Sequence, residues 1–381
     1  MKNFPENLQR KLQIRKENNS FRSLGKSSGL VDFSSNDYLG FAKSETIFNQ
    51  ATAILKEKNI GQNGATGSRL LTGNSIFYEE TEAFIANFHQ AESALIFNSG
   101  YDANLGFFAS VPQRGDVVFY DEFIHASIRD GIRLGNAKAY KFNHNDLIDL
   151  QKLLQSQNFS GNEEVYVVTE SVFSMDGDSP DLKAFAEFCS KNNCRLIVDE
   201  AHAVGIFGKN GEGLVQELNL QDQIFARILT FGKALGCHGA AILGSEDLKN
   251  YLINFCRSFI YTTALPPHSL ATIQTAYSEL QKTGGREKLK QKIDFFKSEI
   301  KKQKLVGKFI PSNSPIQTCI FSGNEKVKIV SKKLQNAGFD VKPILSPTVP
   351  EGKERLRFSL HAYNSEEEIS EVLKTLSTFA S

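Results

Sequence analysis

"EVYVVTESVFSMDGDSPDLKAFAEFCSKNNCRLIVDEAH", residues 164–202, holds a strand, a helix and a second strand in one short span. "EVYVVTES" is almost continuously apolar and β-branched until it meets serine, which reads as a buried strand. "SPDLKAFAEFCSKNN" has helical spacing of its apolar residues, with Pro180 near the first turn. "CRLIVDEAH" repeats the apolar run and stops on acids. A strand, a helix and a strand of this kind form a parallel βαβ unit. The pattern continues on both sides. "SALIF", "DVVFY", "FARILTFGK" and "GAAILG" are further apolar strands, "FYEETEAFIANFHQA" and "HNDLIDLQKLLQ" are helices, and "AKAYKF" precedes the second of these. Strands this apolar need cover on both faces, so a parallel or mixed sheet flanked by helices is expected.

Around this core the chain changes character. The first thirty or so residues read as a charged amphipathic helix followed by a "GKSSG" loop at 25–29. Proline-rich "ALPPHS" at 264–269 breaks the alternation, and a charged helical stretch follows from about 270 to 305. The tail adds strands such as "PIQTCIF" and "RLRFSLH" and two more helices. The expected division is an N-terminal arm at 1–45, a large domain at 46–270 and a smaller α+β domain at 271–381.

Bulk composition excludes several classes. Of 381 residues 40% are hydrophobic and 23% charged, an ordinary globular balance. A net charge of +1 gives no bulk attraction to nucleic acid or anionic membrane. The polar start "MKNFPENLQRKLQIRKENNS" has no signal-peptide core, and no apolar run is long enough to span a bilayer. A cytoplasmic protein with no nucleic-acid or membrane partner is expected. Cys189, Cys194, Cys237, Cys256 and Cys319 are odd in number and lack CxxC spacing. They read as free thiols, and no metal site is expected.

Ligands of open α/β sheets bind outside the carboxyl ends of the strands. "SALIF" is followed by Asn98, Ser99, Gly100 and Tyr101, a glycine turn feeding a helix whose N–H groups suit a phosphate. "DVVFY" leads to Asp121, Glu122 and His125; "VYVVTES" leads to Ser171 and Ser174. "RLIV" leads to Asp199, Glu200 and His202, and "ARILTF" carries Thr230 and then Lys233. A lysine among small apolar residues either snorkels to water or is kept reactive for Schiff-base chemistry. Its neighbours weigh for the second reading, because an anion site, two imidazoles, a carboxylate and an amine are what pyridoxal 5'-phosphate (PLP) requires. Lys233 would take its aldehyde, and Gly100, Tyr101 and Thr230 its phosphate. Asp199 would keep its ring nitrogen protonated, although helix capping is the plain alternative for that aspartate. His125 would stack on the ring, and His202 would approach the phenolic oxygen. "VDEAH" also occurs in helicases, but no GxxxxGK[ST] phosphate loop accompanies it. "GQNGATGSRLLTGN" at 61–74 lacks GxGxxG order and reads as a loop lining a site.

"FSSNDYLG", "SGYDANLG", "DEFIHAS", "TESVFSMDGD", "VDEAHAVG", "TFGKALG", "YTTALPP" and "LRFSLHAYN" together resemble the α-oxoamine synthases. These are fold-type-I PLP-dependent transferases, which join an amino acid to an acyl-CoA with loss of carbon dioxide. The resemblance covers nearly the whole chain. It implies an α/β fold with a mixed, mostly parallel sheet, a smaller C-terminal domain and a homodimer with its active site at the subunit interface. It places Lys233 as covalent anchor and base, His125 on the ring, Asp199 at the ring nitrogen, and His202 and Ser174 near the phenolic oxygen. Thr262 and Thr263 would reach the other subunit's phosphate. Arg357 would grip the amino-acid carboxylate, with Asn36 and Arg22 near the substrate. "DFSSNDYLG", "GSRLLTGN" and "PTVPEG" look most like the biotin-pathway branch, which takes L-alanine and a pimeloyl thioester on CoA or a carrier. The alternative within the family is condensation of glycine with acetyl-CoA. An aminotransferase or lyase, and a scaffold without activity, are the rivals outside it. One departure stands out: the family's "SGFAAN" reads "SGYDAN", which puts Asp102 beside the expected phosphate turn.

Overall fold

The computed structural model describes residues 4–24 and 29–379. Of the expected "GKSSG" loop, residues 25–28 lie outside the described residues. Contacts divide the chain into two units. One comprises Leu39–Ser174 and Ser179–Arg286; the other comprises Met1–Tyr38, Met175–Asp178 and Glu287–Ser381.

The larger unit is built on a seven-stranded sheet. Its strands are β1 (Ser93–Phe97), β2 (Val117–Asp121), β3 (Lys138–Phe142), β4 (Val165–Glu170), β5 (Arg195–Asp199), β6 (Ala226–Thr230) and β7 (Ala240–Gly244). Their order is β1-β7-β6-β5-β4-β2-β3. Pairs β3–β2, β2–β4, β4–β5 and β5–β6 are parallel, while β7 runs antiparallel to β6 and β1. The mixed, mostly parallel sheet expected from the sequence is therefore present.

The apolar runs follow from burial on both faces. Val168, Ile197 and Ile228 pack on one side with Ala103 and Phe107 of the helix Gly100–Ser110. Val167, Leu196 and Val198 pack on the other with Phe185 and Cys189 of the helix Leu182–Lys191. Each such Val, Leu or Ile contributes roughly 1.5–3 kcal/mol by leaving water. Edge strand β3 exposes Lys138, Ala139 and Lys141, and lysines on an edge discourage pairing with another chain.

The helical stretch expected at 270–305 is two helices, Pro267–Leu280 and Gly285–Lys302. Pro267 occupies the first helical position, where its missing N–H costs nothing, so the proline pair starts a helix as well as ending the sheet region. "QKTG" at 281–284 parts the two helices, and the Thr283 hydroxyl accepts the Gly285 N–H at 3.0 Å.

The smaller unit carries β8 (Ile316–Ile320), β9 (Lys342–Ile344) and β10 (Arg355–Ser359), antiparallel in the order β9-β10-β8. Helices Asn324–Asn336 and Glu366–Ser377 belong to it, and Val31–Asp32 pairs in parallel with Phe339–Asp340. The helix Glu6–Glu17 forms as expected and buries none of its residues. Arg355, whose guanidinium is brought down to about 10 by burial, forms a buried ion pair with Asp176.

Candidate active site

The carboxyl ends of β1, β4, β5 and β6 meet the start of two helices around a cavity of about 170 Å³. Gly100, Tyr101, His125, Ser174, Asp199, His202, Thr230 and Lys233, all expected from sequence, line it together.

One end is built to receive an anion. Ser99 caps the helix Gly100–Ser110, its Oγ accepting the Asp102 N–H at 3.1 Å. The amides of Gly100 and Tyr101 open that helix beside Thr230, the last residue of β6. A Cβ on Gly100 would lie 3.5 Å from the Thr230 Cβ, so the turn and the strand end already touch. Asp102 turns back on its own cap, accepting the Ser99 Oγ–H at 2.8 Å, and does not line the cavity. Tyr101 lines the cavity but commits its hydroxyl to Asp130 at 2.6 Å. Replacing Ser99 by alanine is expected to cost about 1 kcal/mol of stability, read as a lower urea midpoint.

At the other end Asp199 closes β5. Its Oδ1 accepts the Ala201 N–H at 2.8 Å and its Oδ2 accepts from Asn104 Nδ2 at 2.9 Å. The next residue faces the opposite side of the strand. Glu200 there pairs with buried Arg227 at 2.7 Å and accepts the Val215 N–H at 2.9 Å. Arg227 also donates to the carbonyls of His89 at 3.0 Å and Glu212 at 3.1 Å. The second acid of "VDEAH" is thus spent inside the fold, and only the first faces the cavity.

His125 caps the helix Ala126–Leu134, and its ring lines the cavity. Burial holds its pKa below the usual value; the Lys233 charge adds to this and the Asp199 charge opposes it. Glu170, overlooked in the sequence, is buried beside it, its Oε1 accepting the His125 N–H at 2.6 Å. Glu170 closes β4 in register with Asp199 on β5. Burial, reinforced by the Asp199 charge, pushes its carboxyl well above the usual range. Asn104 was also overlooked; it lines the cavity between Asp199 and Ser127.

Lys233 is half-buried in the loop joining β6 to β7. Its carbonyl accepts the Gly236 N–H at 2.9 Å, and Phe231 exchanges hydrogen bonds with Gly239 and Cys237 at 2.9 and 2.8 Å. Gly236 has φ +61°, and a Cβ there would meet the backbone N of Ala42 at 2.2 Å. Only glycine fits, so the "GKALG" turn is fixed by its backbone.

Other expected residues lie elsewhere in their units. Asn98 Nδ2 donates to Thr262 Oγ1 at 3.0 Å and to the Thr263 carbonyl at 2.7 Å; neither threonine lines the cavity. In the smaller unit Arg357 donates to Asn36 Oδ1 at 2.6 Å, and the Tyr38 hydroxyl donates to the same oxygen at 3.2 Å. Arg357 Nε is buried with no partner among the described residues. Arg22 donates to Thr348 Oγ1 at 3.2 Å.

The family described as aminotransferase class I and II matches residues 28–376. The chain belongs to that family. Among its relatives, the 8-amino-7-oxononanoate synthase of Emericella nidulans is 43% identical over 376 residues, covering 92% of this chain and 90% of that protein. The solved 8-amino-7-oxononanoate synthase of Francisella tularensis has a TM-score of 0.78 at 29% identity, covering 92% of this chain and 98% of that one. A variant serine palmitoyltransferase from S. paucimobilis with bound PLP has a TM-score of 0.88 at 26% identity, covering 98% and 96%. The chain is therefore a PLP-dependent enzyme of the acyltransferase type, similar to 8-amino-7-oxononanoate synthases, with the α-oxoamine synthase resemblance upheld.

The residues present fit that cofactor. Amide donors and a threonine hydroxyl at one end suit a phosphate. An acceptor-only carboxylate suits a protonated ring nitrogen, an amine on the same cavity suits an aldehyde, and an imidazole supplies a flat face.

Proposed function

We propose that the enzyme condenses L-alanine with pimeloyl-CoA, or pimeloyl on a carrier, releasing carbon dioxide and the thiol to give 8-amino-7-oxononanoate for biotin synthesis. The observation that carries this reading is the 43% identity to a protein of that name across nine-tenths of both chains. Similarity to a serine palmitoyltransferase supports the wider class, an amino acid joined to an acyl thioester.

Bound PLP supplies an aldehyde for covalent attachment and a ring that draws electrons from the bond being broken. Lys233 would hold that aldehyde, and its amine would serve as the base for the substrate's α-proton. Asp199 keeps a proton on the ring nitrogen by opposite-charge attraction. The Gly100 and Tyr101 amides and Thr230 hold the phosphate. His125 covers one ring face, and His202 and Ser174 serve the phenolic oxygen. Arg357, steadied by Asn36 and Tyr38, takes the substrate carboxylate, with Arg22 near the substrate. The working unit is a homodimer in which Thr262 and Thr263 complete the partner's phosphate site. Exposed Leu70, Leu71, Ile76 and Tyr261 on the larger unit support such a face.

Arg357→Lys keeps the charge but loses the planar fork. The KM for the amino acid is expected to rise about tenfold, with kcat changed much less. Parallel turnover with L-alanine plus pimeloyl thioester and with glycine plus acetyl-CoA tests the substrates. Faster turnover of the first pair supports the proposal; preference for the second replaces it with a glycine acetyltransferase.

A further inference from the structure

We infer that Asn104 and Ser127 are positioning residues that hold His125 as the neutral tautomer carrying its proton on Nε2, through a directional chain of hydrogen bonds that starts at Asp199. The inference rests on the proposed function for what His125 and Asp199 do toward PLP; the chain of hydrogen bonds stands without it.

The direction follows from counting protons. An ionised carboxylate only accepts. Asp199 Oδ2 therefore takes one Nδ2 hydrogen of Asn104, at 2.9 Å. The second Nδ2 hydrogen goes to Ser127 Oγ at 3.1 Å. Turning the amide over would set its oxygen against the carboxylate oxygen and forfeit the bond to Asp199. Ser127 Oγ, already accepting, has its own proton to give, and His125 Nδ1 lies 2.7 Å away. The Ser127 backbone N–H points at the same Nδ1 from 3.3 Å. A backbone N–H can only donate, so Nδ1 must offer a lone pair. A proton on Nδ1 would oppose that N–H and break the contact. The ring's proton belongs on Nε2.

Burial makes the chain matter. Asn104 and Ser127 are 3% and 0% exposed, so water cannot replace a lost donor. The charged groups facing His125 are Asp199 and Asp130, which favour the imidazolium, and Lys233 and Arg129, which oppose it. Glu170 Oε1 accepts the His125 backbone N–H at 2.6 Å. Desolvation outweighs the two aspartates, in agreement with a neutral ring. A neutral ring adds no second positive charge beside Lys233.

The test is nitrogen-15 NMR of histidine-labelled full-length protein, with and without PLP, His125 being assigned by its loss in His125→Asn. The expected wild-type spectrum at neutral pH shows Nε2 protonated and Nδ1 bare. Ser127→Ala removes a donor that favours the neutral form, so the His125 midpoint should rise by about one unit. Ser127→Thr, which keeps the hydroxyl, should restore it. A wild-type ring protonated on Nδ1 or on both nitrogens at neutral pH overturns the inference. So does a folded Ser127→Ala protein whose His125 titrates as in the parent. Failure of the protein to bind PLP would instead contradict the proposed function and leave the tautomer result intact.

Discussion

A Lys233→Ala protein is expected to fold like its parent and to lose turnover by roughly 10³-fold or more. Two proposed roles would vanish together, the covalent hold on the cofactor and the base for the α-proton. The fold should survive because the loop is held by its backbone and its buried neighbours. Phe231, Ala234 and Leu235 are buried, and the loop's hydrogen bonds run through the backbone of residues 231, 233, 236, 237 and 239. Circular dichroism and the melting temperature should match the parent while steady-state turnover collapses. Near-normal turnover with the visible absorbance intact would mean that another amine does the work.

The second large effect is expected from Asp199→Asn. An opposite charge at hydrogen-bond distance favours a protonated partner by about one to three pKa units. Removing it should therefore lower turnover by roughly 10- to 10³-fold near neutral pH. Asparagine can still accept the Ala201 N–H, now made to Asp199 Oδ1 at 2.8 Å, so β5 should end as before. The sign of the pH effect is fixed. Without the carboxylate the ring nitrogen loses its proton at lower pH, so acidification restores the protonated form. The deficit relative to the parent should shrink as pH falls, as turnover measured across a pH series would show. A deficit independent of pH would point to lost geometry instead of lost charge.

The sheet was legible because each buried strand is apolar on both faces and stops where polar residues begin. "RLIVD" and "ARILT" announce both the strand and the end at which ligands bind. The same rule could have found Glu170. It closes "VYVVTE" as Asp199 closes "RLIVD", and the two are register partners. The serines that follow it carry the same strand-end signal and compete with it. Asn104 and Ser127 gave less signal, since each lies inside an ordinary helix and its meaning comes from what it meets across the site. "SGYDAN" could not reveal that Tyr101 spends its hydroxyl on Asp130, a partner on another helix, whereas the turn of Asp102 back on Ser99 is local to the motif. The division of the 270–305 helix was readable in "TGG" at 283–285, where two glycines follow a threonine able to bond the backbone.

The most direct measurement is borohydride reduction of the PLP-loaded protein, followed by mass spectrometry of its peptides. A single pyridoxyl group fixed to Lys233, with loss of the yellow colour and of turnover, is the predicted result. A pyridoxyl group on a different lysine, or none at all, would contradict the assignment of Lys233 as the residue that holds the cofactor.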